Sequence, residues 1–563
     1  MRPAGRSETD SLYFDYPHFP FVRPPELEGE TARHPVAIVG AGPVGVTAAL
    51  ELARHGIASV VLDDKDTVND GSRAICISRH SLEILQQLGV DAPFEEKGLG
   101  WIQGRTYFRD REIYRFRMPH SDQERYYPMV NLQQQYIEQF LIDKAHASDL
   151  IEIRWQSVVT GVSQDDAGAT LQVSTPEGEY RLEADYLLAA DGARSVVRKA
   201  FDLSLHGEAY EGRYVIADVR LKSDFPTERR AFFHSQAMPD TTILVHKQPD
   251  DIWRIDYQLG PGEDPEQAVG EGSIRAKVEL IVRDVMHEEG DWELEWWSLY
   301  KAYTLALDDY RHDRVLFIGD SAHLVPIFGV RGLNNGLADA ANAGWKLACV
   351  LKGQAPDRLL DSYSPERRGA TLDVFANAGK STRFMTPPTR GHALMRDAAL
   401  ALAYHNDYAS GFANPRQVTP YTYAESPLTL ADDPAFEAGP IPGAPLINRR
   451  LGDDDFLLDH LGSGFNLLHF SEDGRIDARL EQELDKLRSR GLDITLLRAS
   501  RTPGDEKTLV DVDGSLFAGY GARPGSAYLV RPDRHVAARW MALDPAELNA
   551  ALNIAQGRAL EGE

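Results

Sequence analysis

Two stretches of this 563-residue chain carry residue types and spacings that could do chemistry. In "PVAIVGAGPVGVTAALELARHG", Gly40, Gly42 and Gly45 stand in the spacing G-x-G-x-x-G. Gly40 suits a tight turn, Gly42 lets backbone approach a pyrophosphate, and Gly45 lets a helix pack closely on a strand. The helix that begins there offers free N–H groups and about half a positive charge to phosphates. Asp63 ends the next apolar run, 18 residues after Gly45, where it can accept hydrogen bonds from an adenosine ribose. Asp64 beside it disfavours a 2′-phosphate there.

The second stretch is "RVLFIGDSAHLVPIFGVRGLNNGLADAANAGWK", Arg314 to Lys346. An apolar strand ends in Gly319-Asp320, and the turn from Gly329 through Gly332, Leu333 and Asn334 opens an alanine-rich helix. A nicotinamide dehydrogenase needs no second unit of this kind, whereas a chain that must also hold a riboflavin does. On this reading Asp320 binds ribityl hydroxyls. The N–H groups of the turn then face the flavin pyrimidine ring, where negative charge develops on reduction.

The elements that must position these loops are legible in outline. Residues 35–63 read strand, glycine turn, helix, strand, and "ADYLLAADGA" is a buried strand ending in a turn. Residues 208–300 change character to short β-rich runs separated by polar turns, which predicts an antiparallel sheet inserted between the two loop units. Pro/Gly-rich stretches after about residue 385 predict a linker, followed by a small α/β domain from about 440. The N-terminal "MRPAGRSETDSLYFDYPHFPF" reads as an arm lying on the surface, without the apolar core of a signal peptide.

Composition narrows the partners. A net charge of −26 disfavours nucleic acid and anionic membranes. No apolar run reaches the ~18 residues of a membrane span, and a cytoplasmic setting is expected. The two cysteines, Cys76 and Cys349, stand in no metal spacing, so no metal site is expected and both read as buried thiols.

With these motifs in order, residues 35–380 resemble the flavin-dependent single-component aromatic hydroxylases built like p-hydroxybenzoate hydroxylase. "DGARSVVR", from Asp191 and Gly192 to Arg198, resembles that family's middle motif near the cofactor pyrophosphate. The resemblance implies that Asp320 holds the ribityl chain, that Pro326 lies beside the ring and that Leu333 and Asn334 offer N–H groups to it. It also implies that Arg73 reaches the FAD phosphates and that Gln134 contacts the ribityl chain. The region 440–563 resembles the thioredoxin-like tail of larger phenol-type hydroxylases; having no cysteine, it cannot do dithiol chemistry. The fold class expected is therefore α/β: a Rossmann-like FAD-binding domain split over 35–207 and 301–385, with an inserted substrate-binding sheet at 208–300. An arm at 1–34, a linker or helical segment at 386–439 and the tail at 440–563 complete it.

The activity so implied is hydroxylation of a phenolic compound by FAD, with NADH or NADPH as a transient co-substrate and O2, through a flavin C4a-hydroperoxide. A homodimer is expected. The substrate should lie between the ring and the inserted sheet, where Asp256, Tyr257, His246, Tyr210 and Arg213 are candidates, His246 and Tyr257 being singled out as catalytic. Alternation puts Trp253, Ile255 and Tyr257 on one strand face and Arg254 and Asp256 on the other, with the inward face left open. The alternatives are another flavin oxygenation, such as epoxidation or a Baeyer–Villiger reaction on a polyketide, and a non-catalytic FAD-binding protein. A halogenase is disfavoured, since Trp296-Trp297 does not make a Trp-x-Trp-x-Ile-Pro signature.

Overall fold

The structure, a computed structural model, describes residues 1–29, 32–260, 262–326, 329–414, 419–505 and 507–558. Residues 30–31, 261, 327–328, 415–418, 506 and 559–563 touch the expected arm, sheet, flavin loop, linker and tail, and lie outside the described residues.

Four apolar runs, Arg33–Val39, Ser59–Leu62, Gly178–Ala189 and Val315–Phe317, pair in parallel in one sheet, with Ile151–Arg154 at one edge. They read as continuous apolar sequence because both faces of such a sheet are covered. Val36, Ala37, Ile38, Leu187, Leu188 and Leu316 are completely buried. The strand Gly178–Ala189 lies between the first strand and the late one, with Ala189 in register with both Val39 and Phe317. Gly40 and Gly319 therefore emerge at the same carboxyl edge of the sheet, although about half the chain separates them. That pairing explains why a second strand, loop and helix unit comes so late.

The second sheet runs, strand by strand, 323–324, 292–306, 206–221, 252–258, 242–247, 229–233, 103–108 and 111–117. It recruits a hairpin, Gln103–Phe108 with Arg111–Arg117, from inside the range expected to belong wholly to the nucleotide unit. One face of this sheet is covered by the helix Glu271–Leu280: Ile274 and Val278 pack there with Val215, Val245, Trp253, Ile255 and Tyr257. The other face meets the nucleotide-binding unit, where Arg254 donates to the carbonyl oxygens of Ser72 and, at 3.0 Å, of Arg73. The strand 252–258 thus resolves its own ambiguity: Arg254 and Asp256 point inward and Tyr257 outward.

Helices Gly332–Leu351 and Tyr363–Met385 join this body to the tail. There a five-stranded sheet sets Phe465–Ser471, Ile494–Ser500 and Thr508–Val510 in parallel, with Ala527–Val530 and Val536–Trp540 antiparallel. Helices Ala478–Ser489 and Pro545–Ala555 share one of its cores. The N-terminal arm is more than a surface strap. The carboxylate of Glu295, 1% exposed, is satisfied by Arg2, by Ser11 Oγ at 2.7 Å and by the Leu12 N–H at 2.9 Å. Burying that carboxylate requires donors, and the arm supplies them.

Candidate active site

The first glycine loop is shaped for a ligand. Gly40 has φ 104°, and a Cβ there would lie 2.5 Å from the Ala190 carbonyl oxygen, so only glycine fits. A Cβ on Gly45 would lie 2.0 Å from the Gly40 oxygen. Gly42 differs: a Cβ there would meet no protein atom within 4 Å, so that side of the loop is open. Helix Pro43–Arg54 starts at that point with no side-chain cap, leaving its first N–H groups open. Asp63 accepts the Ala41 N–H at 2.7 Å and the Lys65 N–H at 3.0 Å. Burial raises its carboxyl despite those bonds.

The other cofactor candidates gather at the same edge. Asp191 Oδ2 accepts the Val197 N–H at 3.0 Å, while Oδ1 is buried without a partner. Gly192, at φ 72°, has open space where a side chain would stand. Arg198 ties this motif to the late loop, donating to Ser321 O at 3.0 Å and to Ala193 O at 2.6 Å. Asp320 is exposed in the cleft and accepts no hydrogen bond among the described residues; desolvation by surrounding protein raises its carboxyl, with His323 and Arg73 opposing. Arg73 is exposed beside it, its guanidinium likewise unbonded.

The turn that carries Asp320 is held by a residue the sequence reading missed. Asp339, fully buried in helix Gly332–Leu351, accepts the Gly319 N–H at 3.0 Å, lies 2.6 Å from His323 Nε2 and accepts Arg367 Nε at 2.6 Å. Burial would raise its carboxyl, but Arg367 and His323 hold it below the usual range. Its only sequence signal was an acid inside an apolar helix. At the helix start the N–H groups of Gly332, Leu333 and Asn334 precede the first intrahelical bond, which Asn335 gives to Arg331 O at 2.9 Å. The Asn334 side chain is occupied, accepting from Ser78 N–H at 2.8 Å and Ser81 Oγ at 2.7 Å, so Asn334 offers its backbone alone. Pro326 is buried beside the loop. Val330 stands at φ 53°, a region that costs a β-branched residue about 1–3 kcal/mol and that marks functional loops.

Gln134 Oε1 accepts the N–H groups of Arg73 and Ala74 at 3.1 and 3.0 Å, and one N–H of its Nε2 donates to Glu138 at 2.7 Å. It builds the loop that presents Arg73. Tyr257, singled out for catalysis, belongs to the helix-backed core on the far side of the sheet. Tyr210 sits half-buried by Gly379, and Arg213 is exposed. His246 does face inward, paired in register with Arg254.

The inward face is unusual for its polarity. Arg254 and Asp218 satisfy one another there, at 2.8 and 2.7 Å. Around them Arg229, His246 and Asp256 are 4, 5 and 6% exposed, yet Arg229 Nε and Nη1, His246 Nδ1 and Asp256 Oδ1 have no partner. Burial pulls the Arg229 guanidinium down to about 10 and pushes the Asp256 carboxyl up to about 7. His246 is held well below the usual imidazole range by burial, with Arg229 and Arg254 adding to it. Proteins seldom bury such groups unsatisfied, so this unmet polar cluster points to a ligand. Arg229 went unnoticed in the sequence because it stands beside Arg230, an ordinary strand-edge cation paired with Glu228.

The open space at Gly42 and Gly192, the orphaned Asp191 oxygen, the unbonded Asp320 and Arg73 and the free helix N-termini fit FAD laid along the carboxyl edge of the sheet. Among the described residues no group of His, Cys, Asp or Glu could hold a metal ion, and no helix is long and apolar enough to cross a membrane.

Comparison with known proteins agrees with this geometry. Residues 33–378 match the model of a family described as an FAD binding domain, and residues 443–555 match the HcaD C-terminal domain. The 3-(3-hydroxyphenyl)propionate/3-hydroxycinnamic acid hydroxylase of Mycolicibacterium smegmatis is 29% identical over 92% of this chain and 92% of its own. The corresponding Escherichia coli K12 hydroxylase is 26% identical over 89% of this chain and 91% of its own. Among solved structures, the flavin-dependent monooxygenase PieE in complex with FAD and substrate superposes with a TM-score of 0.78 at 22% identity, over 94% of this chain and 99% of its own. Aklavinone-11 hydroxylase with FAD and aklavinone gives a TM-score of 0.73 at 24% identity, over 94% of this chain and 100% of its own; at that distance both establish the shared fold. The chain belongs to the family of this FAD binding domain and is a flavoprotein monooxygenase.

Proposed function

We propose that this enzyme hydroxylates a phenol carrying a short acidic side chain: phenol, NAD(P)H, H⁺ and O2 give the ring-hydroxylated product, NAD(P)⁺ and water. The observation that carries the reading is the cluster of buried, unpartnered polar side chains on the sheet face that meets the nucleotide-binding unit. Relatives named for 3-(3-hydroxyphenyl)propionate support the substrate class.

Bound FAD supplies the electron transfer and the oxygen activation. The chain's own residues do the rest. Asp63, Arg73, Asp191 and the loop at Gly42 would hold its adenosine and phosphate end. Asp320 and the N–H groups of Gly332, Leu333 and Asn334 would hold its other end, facing positive dipole toward developing negative charge. The sheet face orients the phenol, and the apolar contacts of Leu244 with Met385 help close that side to water.

A panel of phenols tests this in the purified yellow protein. Slow NAD(P)H oxidation without an aromatic, a large increase with the right phenol, and a product heavier by one oxygen atom drawn from 18O2 are expected. Label arriving from water, or oxidation indifferent to every phenolic acid, would overturn the reading.

A further inference from the structure

We propose that Arg229 and Asp256 divide the substrate between them: Arg229 takes its carboxylate, and Asp256 takes the hydroxyl of the ring to be oxidised. The proposal rests on the phenol hydroxylation above and assigns roles inside that site.

Position comes first. Arg229 begins the strand Arg229–Phe233, and the register of Arg230 with Val245 sets it level with His246. His246 in turn pairs with Arg254, and Arg254 with Asp218, so four charged or ionisable side chains form one row across the inner face. Asp256 lies one step along, opposite Leu244 and Ile216. Arg229 and Asp256 are two strands apart and one step along, about 12 Å between backbones. That separation suits a benzene ring with a hydroxyl at one end and a short acid at the other.

Charge comes second. Asp256 is the carboxylate whose charge acts most on Arg229, but no hydrogen bond or ion pair joins the two among the described residues, and the other nearby carboxylates are committed elsewhere. Glu228 is engaged by Gln103, Arg105 and Arg230, and Asp218 by Arg254. Arg331, on the flavin loop, faces Arg229 and adds positive charge, and the thiol of Cys76, its other neighbour, is pushed up to about 12 by burial and so stays neutral. A buried guanidinium whose Nε and Nη1 are hydrogen-bonded to nothing is costly, and a planar carboxylate is the group whose geometry matches it. Neutral His246 beside it adds no competing charge.

Asp256 is the complementary end. It is faced by Arg254 on its own strand, Asp218 and Tyr214 on the next strand, and Arg229 and His246 beyond. A carboxyl titrating near neutrality is matched to accept a phenol's proton and give it back. In the forward step the phenol O–H bond breaks and its proton passes to the Asp256 carboxylate, leaving a phenolate whose ring is electron-rich. After oxygen is added, the ring rearomatises by losing the proton on the carbon that received it, which goes to solvent and offsets a proton used in forming water; Asp256 returns its own proton to the phenolic oxygen and ends as it began.

The test uses the holoenzyme and two probes, 3-(3-hydroxyphenyl)propionate and its neutral amide, titrated against the spectrum of the bound flavin and then against NAD(P)H oxidation. Arg229→Gln should weaken the acid about 100-fold while leaving the amide within about threefold of the wild-type value, with FAD content unchanged. Arg229→Lys, which keeps the charge and loses the fork, should recover part of the loss and guards against a folding failure. Asp256→Asn should lower kcat about 100-fold and remove the inflection near neutral pH, with the acid still bound. Equal losses for acid and amide, or an unchanged acid affinity in Arg229→Gln, would overturn the assignment of Arg229. An inflection that survives in Asp256→Asn would overturn that of Asp256. Wild-type enzyme indifferent to both probes would overturn the hydroxylation reading and both roles with it.

Discussion

Arg531 places both terminal nitrogens on the Glu366 carboxylate, at 2.6 and 2.9 Å, across 165 residues of chain and with both side chains fully buried. Lys346 donates to the same carboxylate at 2.7 Å, and Asp533 closes the far side of Arg531. Burial would raise Glu366, but Arg531 and Lys346 outweigh it and hold the carboxyl far below its usual range. This is the joint between the tail and the flavin-binding body. The residue after Glu366, Arg367, grips Asp339, which holds the Gly319 turn.

Glu366→Gln leaves Arg531 and Lys346 short of an anion. Breaking one partner of a buried pair costs about 3–5 kcal/mol. Thermal unfolding should shift downward by several degrees, and flavin should be released more readily than from wild type, because the same helix steadies the Gly319–Asp320 turn. A variant with normal flavin retention at reduced thermal stability would confine the joint to a structural role.

Gly42→Val and Gly45→Ala should separate cofactor space from packing space. A side chain at 42 meets no protein, so the fold should survive and the protein purify pale or with weakly held FAD. At 45 the added carbon collides with the Gly40 carbonyl, so stability itself should fall. Flavin absorbance per protein and the unfolding temperature distinguish the two outcomes.

Asp320→Ala removes an exposed, unbonded carboxylate from the cleft. Nothing in the fold depends on its side chain, so circular dichroism should be unchanged while FAD content drops. Normal flavin content would remove Asp320 from the site.

Asp256→Asn should change how stability depends on pH. Its folded carboxyl titrates near 7, above the ordinary 3.8, so the native state holds a proton that the unfolded chain has lost. That group's contribution is full below about pH 4 and is lost as pH rises toward 7. Asparagine carries no such burden: the variant should gain on wild type at pH 8 and show no gain at pH 4, measured by denaturant melts across that range.

Cys76 and Cys349 are both buried, with thiols pushed up to about 12 by burial. Replacing both by serine should leave substrate turnover in place with a modest loss of stability from polar atoms in apolar sites. Turnover that vanished at normal FAD content would bring a thiol into the mechanism.

Sequence by itself determined the shape of the glycine loops. Glycine at 40, 42 and 45 answers a local demand, a turn with positive φ and close backbone approach, so the spacing is written in the chain. The late unit ending in Asp320 was legible for the same reason. Tertiary structure alone decided the substrate side. Alternation along Ile252–Gln258 yields two faces of equal standing, and the choice between them was made by distant segments: the helix Glu271–Leu280 covers Tyr257, and the Ser72–Arg73 carbonyls take Arg254. Gln134 also took on a structural duty that no local pattern announced, accepting the N–H groups of Arg73 and Ala74. Arg229 became significant only once folding placed it in a row with His246 and Arg254 and committed Glu228 and Asp218 to other cations. Burial and pairing are properties of contacts between distant residues, and no local pattern in the chain records them.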